Sequence, residues 1–195
     1  MVSGLKLFDL NSKTALITGS SQGIGYALAK GLADAGSDII LNGRNTEKLK
    51  RSAEAINTKQ NIFQLCFDVT NYEQTKRSVD KFEKDIKPID ILINNAGMQF
   101  RTPLEDFPPK MFEELLKTNI SSVFNVSQAV VKYMIKRGEG KIINIASVQT
   151  SLARPGIAPY TATKGAVGNI TKGMATDWAK YGIQCNAIAP GYFDT

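Results

Sequence analysis

The sequence predicts an α/β fold: a doubly wound, mostly parallel sheet with helices on both faces, forming a single domain over 1–195. Three observations carry this expectation. Short apolar runs alternate with longer stretches of helical period. The runs are apolar at successive positions, as strands are when helices cover both sides of a sheet. A glycine-rich turn joins the first run to the first helical stretch.

In chain order the strands are "TALIT" (14–18), "DIILN" (38–42), "IFQLCF" (62–67), "DILIN" (90–94), "GKIINIAS" (140–147) and "IQCNAIA" (183–189). Amphipathic stretches at 24–35, 46–57, 72–85, 108–137 and 160–181 supply the helices between them. Strands and helices in this alternation form right-handed crossovers, so the six strands run parallel. No repeat, low-complexity tract or linker divides the chain.

A chain of 195 residues can bury a substantial core within one domain. Its 43% apolar and 22% charged residues fit an ordinary globular protein in water. No apolar run approaches the ~20 residues of a membrane span. The start, "MVSGLKLFDLNSKTALITG", lacks the apolar block and cleavage site of a secretory signal. A cytoplasmic protein without a membrane partner is expected. Cys66 and Cys185 are isolated within apolar runs and read as small core residues of a reducing compartment.

The chain has no histidine, which excludes Ser-His-Asp and Cys-His nucleophile systems and histidine-based metal sites. No metal site is expected. Proton chemistry must then use carboxylates, lysine, tyrosine or water. The net charge of +6 is scattered among acidic residues instead of forming a basic stripe, so no nucleic-acid partner is expected.

"TGSSQGIG" turns the first strand into the first helix, with Gly19, Gly23 and Gly25 allowing a tight turn and close approach to a ligand. Amides at the helix start would then face a pyrophosphate. The spacing is G-x-x-x-G-x-G, distinct from the common G-x-G-x-x-G dinucleotide pattern. The second strand ends in "LNGRN", with Arg44 and no carboxylate. An acid there would bind a ribose 2′-hydroxyl, whereas an arginine can pair with a 2′-phosphate. NADP is therefore favoured over NAD.

Tyr160 and Lys164 lie at i and i+4, on one face of a helix. A cation beside a phenol favours the phenolate. The ordered set "TGSSQGIG", "NNAG" (94–97), Asn119 in "KTNIS", Ser147 in "NIASV", "YTATK" (160–164) and "PGYFDT" (190–195) resembles the short-chain dehydrogenase/reductase family. The resemblance implies a Rossmann-like, NAD(P)-binding domain and a homodimer or homotetramer. It implies Tyr160 as proton donor and acceptor, and Lys164 as support for the phenolate and a ribose ligand. Ser147 would hydrogen-bond the reacting oxygen, and Asn119 would anchor a proton-relay water.

The resemblance further implies cofactor contacts by Ser21 and Ile24 beside the three glycines, and by Asp68 and Val69 at the adenine. Asn94, Asn95, Ala96 and Gly97 would line the adenosine and ribose, with Pro190, Gly191 and Thr195 at the nicotinamide end. Stretches such as "INNAGMQFRTPLEDFP" and "SVQTSLARPGIAPYTATKGAV" are similar to those of sugar-acid reductases within the family. That implies a small sugar-acid or keto-acid substrate. Gln99, Arg101, Gln149 and Arg154 are its candidate partners, an arginine fork being apt for a carboxylate. Two alternatives remain open: a 3-oxoacyl-thioester (acyl-carrier-protein) reductase, and a non-catalytic nucleotide-binding protein on the same fold. The chain stops at Thr195, so the family's substrate-covering segment and last strand are expected to be absent.

Overall fold

The computed structural model describes residues 8–193. Six strands form one sheet: β1 (Thr14–Ile17), β2 (Asp38–Gly43), β3 (Ile62–Cys66), β4 (Ile91–Asn94), β5 (Gly140–Ile145) and β6 (Ile183–Ile188). Their spatial order is β3-β2-β1-β4-β5-β6, and every pairing is parallel. The helices are α1 (Gly23–Asp34), α2 (Thr46–Ala55), α3 (Tyr72–Asp85), α4 (Pro109–Leu116), α5 (Ser122–Arg137) and α6 (Ala158–Trp178). Strand order reverses between β1 and β4, and the loops leaving their carboxyl ends diverge there to open a crevice.

Side chains alternate along each strand, and the sheet uses both faces. Ala15 and Ile17 of β1 join Ile39, Leu41, Ile91 and Ile93 in one cluster, closed by Ala29, Ala33 and Leu49 of α1 and α2. Leu16 belongs to the opposite cluster with Ile40, Leu92 and Ile142, closed by α3, α5 and α6 through Phe82, Val126, Met134 and Val167.

The edges depart from the expectation of strands buried on both faces. In β3, Gln64 and Cys66 are exposed, and β6 is exposed from Asn186 to its end. Each edge strand has one neighbour and incomplete helix cover. Cys66 is accordingly a surface thiol, correcting its assignment to the core. Cys185 is buried as expected, and burial pushes its thiol up to about 11.

The stretch 108–137 is not one regular helix. A π turn, Lys117–Ser121, separates α4 from α5. Its centre, Asn119, is tethered by side-chain hydrogen bonds to the β4 loop and to α6, and the wider turn accommodates that tether. The final helix begins at Ala158, two residues before Tyr160, with Pro159 in its first turn where a missing N–H does no harm. No helix among the described residues is long and apolar enough to cross a membrane.

Candidate active site

A cavity of about 900 Å³ follows the carboxyl ends of β1 to β4. The glycine turn forms its floor, with Gly19 and Gly23 at φ of +63° and +58°. A Cβ on Gly25 would lie 2.5 Å from both Asn95 Nδ2 and the Gly19 carbonyl oxygen, so only glycine lets α1 start this close to the β4 loop. No side chain caps α1, whereas Asn45 and Asn71 cap α2 and α3 by accepting from Lys48 N and Gln74 N. Residues 22–25 line the cavity, so the uncapped amide end of α1 adjoins it. A volume of this size beside an open helix start fits a dinucleotide.

Ser21, Ile24, Arg44, Asp68, Val69, Asn95, Ala96 and Gly97 also line this cavity. Asn94 does not. It is 4% exposed and donates through Nδ2 to Ser127 Oγ and Asn144 Oδ1, both at 2.8 Å, inside the core. It faces inward from the strand, whereas Asn95 lies just past the strand end. Arg44 is mostly exposed, its Nη1 3.9 Å from Asp68 Oδ2. The other oxygen of Asp68 accepts from the amide and hydroxyl of Thr70, both at 2.8 Å.

Thr18 and Lys48 are contributors that the sequence reading missed. Thr18 Oγ1 accepts from Asn95 N at 2.9 Å and Ala96 N at 3.0 Å, locking the β4 loop onto β1. A hydroxyl at a strand end just before glycine was its available signal. Lys48 lines the cavity one turn after Arg44, and a second cation there was equally visible.

Lys164 is 6% exposed and donates from Nζ to the Ile145 carbonyl at 2.7 Å. Ile145 ends β5 two residues before Ser147, so this bond draws α6 to the strand end that carries the serine. Burial lowers the Lys164 ammonium to about 8. Its Nζ lies 5.8 Å from the centroid of the half-buried Tyr160 ring. Ser147 Oγ accepts from Gln149 N at 3.2 Å, leaving the hydroxyl hydrogen free to be donated elsewhere.

Asn119 is 1% exposed, and its side chain is committed. Oδ1 accepts from Met98 N at 2.8 Å, while Nδ2 donates to Met98 O at 2.9 Å and to Thr163 Oγ1 at 3.0 Å. Both amide hydrogens are thereby used, so the side chain has no donor left for a relay water. A Cβ on Gly97 would sit 3.4 Å from Asn119 Oδ1 and 3.8 Å from Lys164 Nζ. The cavity therefore adjoins Asn119 and Lys164. Thr163, fully buried, was another unflagged contributor; its position between Tyr160 and Lys164 was the available clue.

Among the candidate substrate residues, Gln99 and Arg101 are exposed and Arg154 is half-buried. Thr102 N donates to the Gly156 carbonyl at 3.1 Å, bringing together the loops that carry the two arginines. Gln149 is packed inward at 6% exposure, and its Oε1 is buried with no hydrogen-bond partner. Its backbone N–H is the donor to Ser147 Oγ. The Pro190 carbonyl accepts from Val148 N at 2.9 Å, setting the segment after β6 beside Ser147. Gly191, next in that segment, is exposed. Thr195 lies outside the described residues. No cluster of three or more potential metal ligands occurs among the described residues.

The sequence model of the family described as short chain dehydrogenase matches residues 13–195. Over 192 residues the chain is 56% identical to a gluconate 5-dehydrogenase of Gluconobacter oxydans, covering 97% of this chain and 74% of that one. It is 45% identical to a 5-keto-D-gluconate 5-reductase of Escherichia coli, covering 97% of this chain and 75% of the relative. A crystal structure of a gluconate 5-dehydrogenase from Burkholderia cenocepacia, in complex with NADP and tartrate, superposes with a TM-score of 0.94. That protein is 51% identical, with 99% of this chain and 76% of the other covered.

Proposed function

Because the chain belongs to the short-chain dehydrogenase family and is thus an oxidoreductase acting on CH–OH groups, we propose that it uses NADP on a sugar acid of the gluconate/5-keto-gluconate type. The observation that carries the reading is the Lys164–Ile145 bond, which draws Tyr160 and Lys164 toward Ser147 beside the cofactor cavity. NADP, when bound, supplies or accepts the hydride. Gly19, Gly23, Gly25 and the amides of α1 hold its pyrophosphate, and Arg44 with Lys48 receives the 2′-phosphate.

Tyr160 gives a proton to the substrate oxygen in reduction and takes it back in oxidation. Lys164, with one hydrogen on Ile145 O, has two others with which to hold a ribose hydroxyl and favour the phenolate. Ser147 donates its free hydrogen to the same substrate oxygen and steadies the charge developing there. Arg101 and Arg154 are the candidate carboxylate partners, on loops joined by the Thr102–Gly156 bond.

Steady-state rates with 5-keto-gluconate, beside NADPH titrations, test the reading. Tyr160→Phe keeps the ring and removes the proton, so turnover falls at least about 100-fold while NADPH affinity holds. Near-parental turnover in that variant overturns the assignment. Arg44→Ala is expected to narrow the NADP/NAD affinity gap by about tenfold, the size of one exposed charge-assisted contact. Equal parental affinities for the two cofactors would defeat the choice of NADP.

A further inference from the structure

The loop at 151–157, between the 3-10 turn Val148–Thr150 and α6, carries Arg154 and is held at two points. The first is Gly156, whose carbonyl accepts from Thr102 N at 3.1 Å. Gly156 has φ +77°, a conformation that most side chains resist. The second is Arg154 itself, whose guanidinium carbon lies 5.0 Å from the centre of the Tyr192 ring. Tyr192 follows Pro190, the residue tied by its carbonyl to Val148 next to Ser147. The loop that carries Arg154 thus meets the segment of Thr102 and the segment of Tyr192, the latter tied beside Ser147.

Tyr192 presents a large aromatic ring in the segment that follows β6. Its observed contact is the cation above its face. A guanidinium over a ring keeps its N–H donors in its own plane, where a carboxylate can accept two of them. The loop backbone is anchored at Gly156, and the Tyr192 ring is a side-chain contact of Arg154.

We propose that Tyr192 is a positioning residue: its ring face aims the Arg154 guanidinium at the substrate carboxylate. This rests on the sugar-acid reading of Arg154 given above. Tyr192 thereby sets the preference for an acid over a neutral sugar, without touching the reacting atoms or the cofactor. The hydroxyl is not required, since the quadrupole belongs to the ring.

The test compares the parent with Arg154→Ala, Tyr192→Leu and Tyr192→Phe. Tartrate binding to the NADP-saturated protein reads the carboxylate contact without turnover. KM and kcat for 5-keto-gluconate and for a neutral ketose of equal length read it in catalysis. Tyr192→Leu should weaken tartrate and raise the keto-acid KM by about three- to fivefold, leaving kcat, the ketose KM and NADP affinity unchanged. Tyr192→Phe should match the parent, and Arg154→Ala should move the same quantities further. If Arg154→Ala acts selectively on the acid but Tyr192→Leu does not, the positioning role falls and the substrate reading stands. If Arg154→Ala affects acid and ketose alike, or neither, the carboxylate reading of Arg154 falls and this proposal falls with it. A Tyr192→Phe protein as impaired as Tyr192→Leu, or a shift in NADP affinity with Tyr192→Leu, also overturns it.

Discussion

Taking an ammonium out of water raises its free energy, and Lys164 meets that cost with one carbonyl contact at 6% exposure. Its folded value of about 8 lies below the ordinary 10.5, so between those values the unfolded chain binds more protons than the folded one. Stability therefore rises with pH across that window, and the full deficit is present below about pH 8. A shift of this size corresponds to roughly 3 kcal/mol. Lys164→Met keeps the length and removes the charge, while leaving the Ile145 carbonyl without that donor. The stability of this variant relative to the parent should be roughly 2 kcal/mol more favourable at pH 7 than at pH 9.5. Urea unfolding of the cofactor-free proteins at the two pH values measures it, and a pH-independent difference defeats it. On the proposed role of Lys164 the same variant should also lose turnover, a trade-off of stability against activity.

At the scale of elements, the features readable in the sequence were those with a local signal. The six apolar runs and the glycine turn are of this kind, as is the Tyr160–Lys164 spacing on α6. The π turn was not readable, because its cause is non-local: Asn119 is bonded to Thr163, 44 residues away. Nor do apolar runs state the sheet order, so the exposure of Cys66 at an edge could not be separated from burial in a central strand. Asn94 and Asn95 differ by one position, and whether a residue ends a strand or has just left it decides whether it faces core or cavity. The inward packing of Gln149 was unreadable for a similar reason. Its 3-10 turn faces one side chain in three inward, and composition does not say which.

The molecule as a whole is held by apolar clusters on the two sheet faces, and one of them encloses a polar network spanning four elements. Asn94 of β4 donates to Ser127 of α5 and to Asn144 of β5, and Asn144 donates to Thr171 of α6 at 2.8 Å. Asn94 and Asn144 are register partners across the strand pair, and Asn144 is fully buried. Asn94 Oδ1 is buried without a partner, but the bonds the network does make are shielded from water that could replace a lost one. Asn144→Ala removes an acceptor and a donor together, leaves a hydrogen of Asn94 Nδ2 without its partner, and opens a small cavity. The expected loss of unfolding stability is about 2–4 kcal/mol, from an unsatisfied buried group plus missing packing. Trp178, at the end of α6, reports on the helix, and far-ultraviolet dichroism reports on all elements. Since the network joins sheet to helices, both probes should shift to the same lower denaturant midpoint. Cys66→Ser, on the exposed edge, should stay within about 0.5 kcal/mol of the parent in the same experiment. An Asn144→Ala protein within that same margin would mean that the apolar clusters alone hold α5 and α6 to the sheet.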